Sequence, residues 1–110
     1  MTERRRFPRI KRRFMVEFEH QRRRDSGYTH DLSATGLFIC SIYEPKPESR
    51  LGIRIWLPNR ESIRLQVKLV RSNRVPANLT RFVPDGFCVR LEQADEQYFQ
   101  LLATLLRVAA

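Results

Sequence analysis

The chain has 110 residues, 42% of them hydrophobic and 10% aromatic, with 21 Lys and Arg against 12 Asp and Glu for a formal charge of +9. That is one ordinary domain with one modest core, and its apolar content excludes wholesale disorder. The longest apolar runs, Gly36–Cys40 and Leu101–Leu106, fall far short of the ~20 residues a bilayer span needs. No apolar stretch follows the basic N-terminus as a signal peptide requires, so a cytoplasmic protein without membrane insertion is expected.

Residues 1–13 contain almost nothing apolar beyond Phe7 and Ile10, and read as a flexible basic arm. From Phe14 the pattern changes. Phe14, Val16 and Phe18 alternate with Met15, Glu17 and Glu19, which predicts a strand. Ser26-Gly27 suggests a turn, and Tyr28–Leu32 a second strand. After a tight loop at Ser33–Gly36, the apolar run Leu37–Ile42 predicts a third strand buried on both faces. Glu44-Pro45-Lys46-Pro47 interrupts the order. Leu51–Leu57 and Ile63–Leu69 then alternate on either side of a Pro58-Asn59-Arg60 turn, the pattern of a long hairpin.

Ser72–Gly86 is long for a connection. It is either a functional lid, or Leu79–Val83 extends the neighbouring strands. Phe87, Val89 and Leu91 alternate with Cys88, Arg90 and Glu92 in a final strand. The period then switches. Tyr98, Leu101, Leu102, Leu105 and Leu106 share one helical face, with Asp95 and Glu96 in the first turn and Arg107 in the last. The expected fold is therefore all-β with a C-terminal helix: a six-stranded antiparallel barrel over 14–93 and a helix over 94–110. Cys40 and Cys88 are too few for a disulfide framework or a zinc site, and read as two buried thiols.

The charge is local. Residues 1–24 carry ten basic and three acidic side chains, a balance of +7, and nine of the ten cations are arginines. Arginine binds phosphate and the guanine edge through a planar fork, so this excess points to an anionic partner. Two short constellations stand out. Arg5 and Arg9 bracket Pro8, which keeps the segment extended rather than helical. Asp31-Leu32-Ser33-Ala34-Thr35-Gly36 lies at a strand junction, where a carboxylate, a hydroxyl and a glycine also suit an ordinary Asx or Ser/Thr turn.

Together, Arg5-x-x-x-Arg9 and, about 20 residues on, Asp31-x-Ser33-x-x-Gly36 resemble the PilZ domain family, whose members bind the bacterial second messenger cyclic di-GMP. The resemblance extends through the Gly86–Leu91 strand and the terminal helix. It implies a split-barrel fold of six strands and a non-catalytic receptor. It implies that Arg5 and Arg9 grip guanine edges and phosphates, while Arg4 and Arg6 add contacts or only positive field. Asp31 would accept from guanine N1–H and N2–H₂, Ser33 would bond a phosphate or the guanine amino group, and Gly36 would keep the loop open. The ligand would be one dinucleotide or an intercalated pair, no cofactor or metal would be needed, and binding would signal by conformational change to a downstream protein.

Two other readings stand beside it. One is a PilZ-like interaction module that ignores nucleotide. The other is a basic nucleic-acid-binding barrel, disfavoured because Tyr28 and Trp56 read as scattered aromatics rather than a stacking pair. No catalytic constellation is present: His20 and His30 lie on a turn and a strand, and strand alternation places His30 and Asp31 on opposite faces.

Overall fold

The computed structural model describes residues 7–43, 45–79 and 85–109. Seven strands and one helix occupy them: β1 (Ile10–Lys11), β2 (Met15–His20), β3 (Arg23–Leu32), β4 (Gly36–Cys40), β5 (Arg50–Trp56), β6 (Ser62–Asn73), β7 (Gly86–Ala94) and α1 (Glu96–Ala109). Antiparallel pairing runs β3-β2-β5-β6-β7-β4, and β4 returns to β3, so six strands close a barrel. β1 adds a short seventh strand on the edge of β3 that β2 vacates.

The inward residues form one core. Val16 and Phe18 of β2, Ile53 and Ile55 of β5, Leu65 and Val67 of β6, and Phe87 and Val89 of β7 are all buried. Burying each such side chain contributes about 1.5–3 kcal/mol. Tyr98, Leu102 and Leu105 bring the helix onto the same cluster. Phe99 and Leu106 stay exposed, although Leu106 belonged to the expected apolar face.

Several expected boundaries move. The turn expected at Ser26-Gly27 lies instead at Gln21 and Arg22, whose φ angles of 50° and 68° suit the two-residue hairpin between β2 and β3. Gly27 is inside β3 because a Cβ there would meet the Cys40 carbonyl oxygen at 2.3 Å. The segment expected to be a free arm to Arg13 is tied to the barrel at Ile10 and Lys11, which pair with Leu32 and Asp31. β6 runs on to Asn73, and a single 3-10 turn follows at Ala77–Leu79. Residues 80–84, the centre of the expected lid or strand extension, lie outside the described residues.

Gly36 also sits at a close approach. A Cβ at this position would lie 2.2 Å from the Val89 carbonyl oxygen of β7, so any larger residue forces two paired strands apart. Gly36→Ala is expected to destabilise the barrel by about 1–3 kcal/mol. Thermal denaturation checks this, and an unchanged midpoint would contradict the close approach.

Candidate functional site

β3 changes phase in its last turn of pleat. Thr29 and Leu32 are both buried, while His30 and Asp31 between them are both half-exposed. Strict alternation allows only one outward residue there. The pairing with β4 accounts for the second: Thr29 faces Ile39 and Asp31 faces Phe38, with a register shift between them. Such a bulge re-aims side chains. His30 and Asp31 therefore share the outer face, contrary to the expectation from alternation. On the other edge of β3, Thr29 bridges the break between β1 and β2. Its Oγ1 donates to the Arg12 carbonyl at 2.7 Å and accepts from the Phe14 amide at 2.8 Å.

Arg9 reaches over this face. Its Nη1 lies 3.3 Å from Asp31 Oδ1, and its Nη2 donates to Cys88 Sγ at 3.6 Å. The guanidinium thus runs from β3 to β7, with β4 between them. Asp31 Oδ1 is screened from solvent and accepts no hydrogen bond, so the Arg9 contact is coulombic rather than directed. That leaves a carboxylate oxygen suited to an N–H donor. Beneath lies Phe38, only 7% exposed yet outside the core cluster. The His30 ring packs edge-on against it, with centroids 5.9 Å apart. Phe38 belongs to this outer face, since its neighbours Leu37 and Ile39 both point into the core.

Ser33 and Gly36 close the adjoining turn. Ser33 is 3% exposed. Its Oγ accepts from the amides of Thr35 and Gly36, each at 3.2 Å, and its own amide donates to the Gly36 carbonyl at 2.8 Å. The hydroxyl that the family resemblance assigns to the ligand is thus engaged inside a Ser/Thr turn. Gly36 serves the contact with β7 described above. The Tyr98 hydroxyl donates to the Ser33 carbonyl at 2.7 Å, fastening α1 to the same turn. Burial raises the Tyr98 hydroxyl pKa far above its ordinary value, so it stays a donor.

Arg4, Arg5 and Arg6 lie outside the described residues. Arg12 and Arg13 stand over the rings of Phe14 and Tyr28, at 5.6 and 4.2 Å. The cysteines are half-exposed rather than buried, and Cys88 is part of the site. Burial raises the Cys40 pKa, against the field of Arg13. Tyr28 and Trp56 are not scattered: both are register partners of Met15, and they flank it in one row, with Trp56 half-buried. A trough of about 370 Å³, lined by Glu17, Glu19, Gly52, Arg54, Arg64 and Gln66, holds none of the expected site residues. Among the described residues there is no metal-binding cluster, and no helix is long and apolar enough to cross a membrane.

The structure therefore joins Arg9 to Asp31 and sets the Ser33–Gly36 turn beside them. It adds Phe38, Cys88, His30 and Tyr98, which lie outside the two sequence motifs. The signal for two of them was present. Cys88 sits on the polar side of its alternating strand, and Phe38 sits out of phase with Leu37 and Ile39.

A family model described as the PilZ domain matches residues 3–107. Among curated protein sequences, none matches. Among solved structures, the Bacillus subtilis inhibitor of motility MotI/DgrA aligns with a TM-score of 0.77 at 16% identity, covering 97% of this chain and 52% of that one. This chain thus spans about half the length of MotI/DgrA. The PilZ domain of CeSA from a cellulose-synthesizing bacterium aligns with a TM-score of 0.64 at 17% identity, covering 94% of this chain and 99% of that one. At these identities the likeness to both structures is one of fold.

The geometry separates a turn-building residue from one on the outer face. Ser33→Ala leaves two amides without their acceptor and is expected to cost about 1–3 kcal/mol. Asp31→Asn removes a loose coulombic contact and is expected to cost ~1 kcal/mol or less. Chemical denaturation of the two variants checks the order, and a larger loss for Asp31→Asn would contradict it.

Proposed function

The chain belongs to the PilZ domain family, and on that premise we propose that it is a receptor for cyclic di-GMP that carries no catalytic step. The observation that carries the reading is Arg9 drawn against Asp31 across the outer face of β4. The ligand offers two phosphodiester charges and two guanines. Asp31 Oδ1, screened from water and without a hydrogen bond, accepts from guanine N1–H and N2–H₂. Arg9, with Arg5 from the same motif, binds guanine O6 and N7 or phosphate through its fork. Arg4 and Arg6 add contacts or field. Ser33 and Gly36 contribute by holding the turn beside Asp31.

Charge supplies the drive. The +7 of the first 24 residues is self-repelling until a dianion sits among it. Each charge-assisted hydrogen bond formed contributes about 1.5–3 kcal/mol. Since Tyr98 ties α1 to the Ser33–Gly36 turn, a ligand on this face also bears on the helix. The altered surface is read by a downstream protein, in a bacterial cytoplasm. One dinucleotide or a pair is accommodated.

The nucleic-acid reading draws on the Tyr28–Met15–Trp56 row. Against it, Glu17 and Glu19 project beside that row, and Glu17 takes the Trp56 Nε1–H at 2.8 Å. A phosphate backbone laid there meets carboxylates. A nucleotide-independent module would need no unsatisfied carboxylate under an arginine.

Arg9→Ala and Asp31→Ala are each expected to weaken cyclic di-GMP binding at least tenfold, about 1.4 kcal/mol, with thermal unfolding nearly unchanged. Calorimetric titration measures this, and wild-type affinity in both variants would overturn the assignment. The amides of residues 7–13 are expected to exchange more slowly with ligand present. Equal exchange with and without it would contradict closure of that segment over the ligand.

A further inference from the structure

Asp31 begins a row that crosses four strands. Its register partner on β4 is Phe38, Phe38 pairs with Cys88 on β7, and Cys88 pairs with Arg71 on β6. Residues paired in this way project to the same face of a sheet. The next row, toward the Ser33–Gly36 turn, reads Gly36, Arg90 and Lys68.

Both ends of the first row depend on a phase slip. One lies between Thr29 and Asp31, the other between Leu69 and Arg71. Leu69 is fully buried, and unbroken alternation would send Arg71 into the core behind it. The slip turns Arg71 outward, to an exposed position, and Ser72 takes the inward place opposite Phe87. Two bulges thus turn a carboxylate and a guanidinium to the outer surface, at opposite ends of one row that curves with the barrel wall.

The charges there are unbalanced. Among the described residues, Arg71 and Arg90 are exposed and neither makes an ion pair. Glu48 is a nearby carboxylate. Its Oε1 is held by Lys68 Nζ at 2.8 Å, and the hydrogen bond and charge of Lys68, with a smaller share from Arg90, keep its pKa low. Among the described residues of these two rows, Arg9, Lys68, Arg71 and Arg90 stand with Asp31 and Glu48, while the adjoining Arg50 and Glu92 pair with each other at 2.9 Å, which leaves an excess of two positive charges. A cyclic dinucleotide carries two negative ones. Arg9 marks the direction of the site, since its guanidinium runs from Asp31 on β3 to Cys88 on β7. Followed along the curved wall at about 4.8 Å per strand, β7 lies roughly 10 Å and β6 roughly 14 Å from Asp31.

We propose that Arg90 and Arg71 form the far wall of the dinucleotide site and hold its phosphodiesters, two and three strands respectively from the carboxylate that reads guanine. This rests on the cyclic di-GMP reading given above.

Titration of the full chain with cyclic di-GMP at several salt concentrations tests it. Arg71→Gln and Arg90→Gln are compared with Arg60→Gln, an equal loss of charge in the β5–β6 turn. Each wall variant is expected to bind about fivefold more weakly, and with a shallower salt dependence, because one screened charge contact is gone. The double variant is expected to lose more. The preference for cyclic di-GMP over cyclic di-AMP stays as in the wild type, since base reading is left in place. Arg60→Gln is expected to match the wild type within about twofold. If the wall variants bind as Arg60→Gln does at every salt concentration, the inference is overturned while the receptor reading stands. If the wild type itself does not bind cyclic di-GMP, the receptor reading fails and takes the inference with it.

Discussion

The seating of β4 between β3 and β7 is the constraint on which the site depends. β4 has five residues, yet it closes the barrel by pairing along both of its edges. Glycines meet carbonyl oxygens of neighbouring strands at both seams, Gly27 under Cys40 and Gly36 under Val89. Leu37 and Ile39 fill the core from within, and Phe38 carries the outer face. With β4 in place, Asp31 and Cys88, far apart in sequence, come within reach of a single guanidinium. Without that closure, the motif residues would be a turn and a tail with nothing between them.

The second requirement is the slip in strand phase. Thr29 is buried, and strict alternation would bury Asp31 as well. A carboxylate buried without a charged or hydrogen-bonded partner costs several kcal/mol or gives up its charge. The bulge resolves this by turning Asp31 outward and sending Leu32 inward. The slip on β6 does the same for Arg71. Interruptions that weaken a ladder here determine which charges face solvent together.

Much of this was legible in the residues. Four alternating runs, the short segment Tyr28–Leu32, the apolar run Leu37–Ile42 and one period-3.6 segment gave the barrel strands and the helix, because inward and outward positions mostly differ sharply in polarity. The Arg5–Arg9 and Asp31–Gly36 spacings led to Arg9 and Asp31, which the fold joins. The β2–β3 turn was not legible, because Gln21 and Arg22 take positive φ without the Asn or Gly that usually marks such a turn. Gly27 misled for the converse reason: its missing side chain serves a close approach between strands rather than a turn. Bulges leave no mark in a hydrophobicity pattern, so the shared face of His30 and Asp31 and the outward turn of Arg71 emerged only from the register. The role of Ser33 divided along the same line. Its spacing matched the ligand motif, while its burial and hydrogen bonds make it the clasp of the turn.

The outer surface here therefore combines a desolvated acceptor, a guanidinium reaching from Asp31 to Cys88 and an excess of positive charge. In the proposed receptor that combination selects for base identity as well as for charge, because only guanine offers paired donors on its Watson–Crick edge beside the O6 and N7 acceptors. The most direct measurement is a titration of the unmodified protein with cyclic di-GMP and, at the same ionic strength, with cyclic di-AMP. The account predicts saturable binding of the guanine dinucleotide, with one or two molecules per chain, and a preference of at least about tenfold over its adenine counterpart. Equal affinity for the two, or no saturable binding of either, would contradict it.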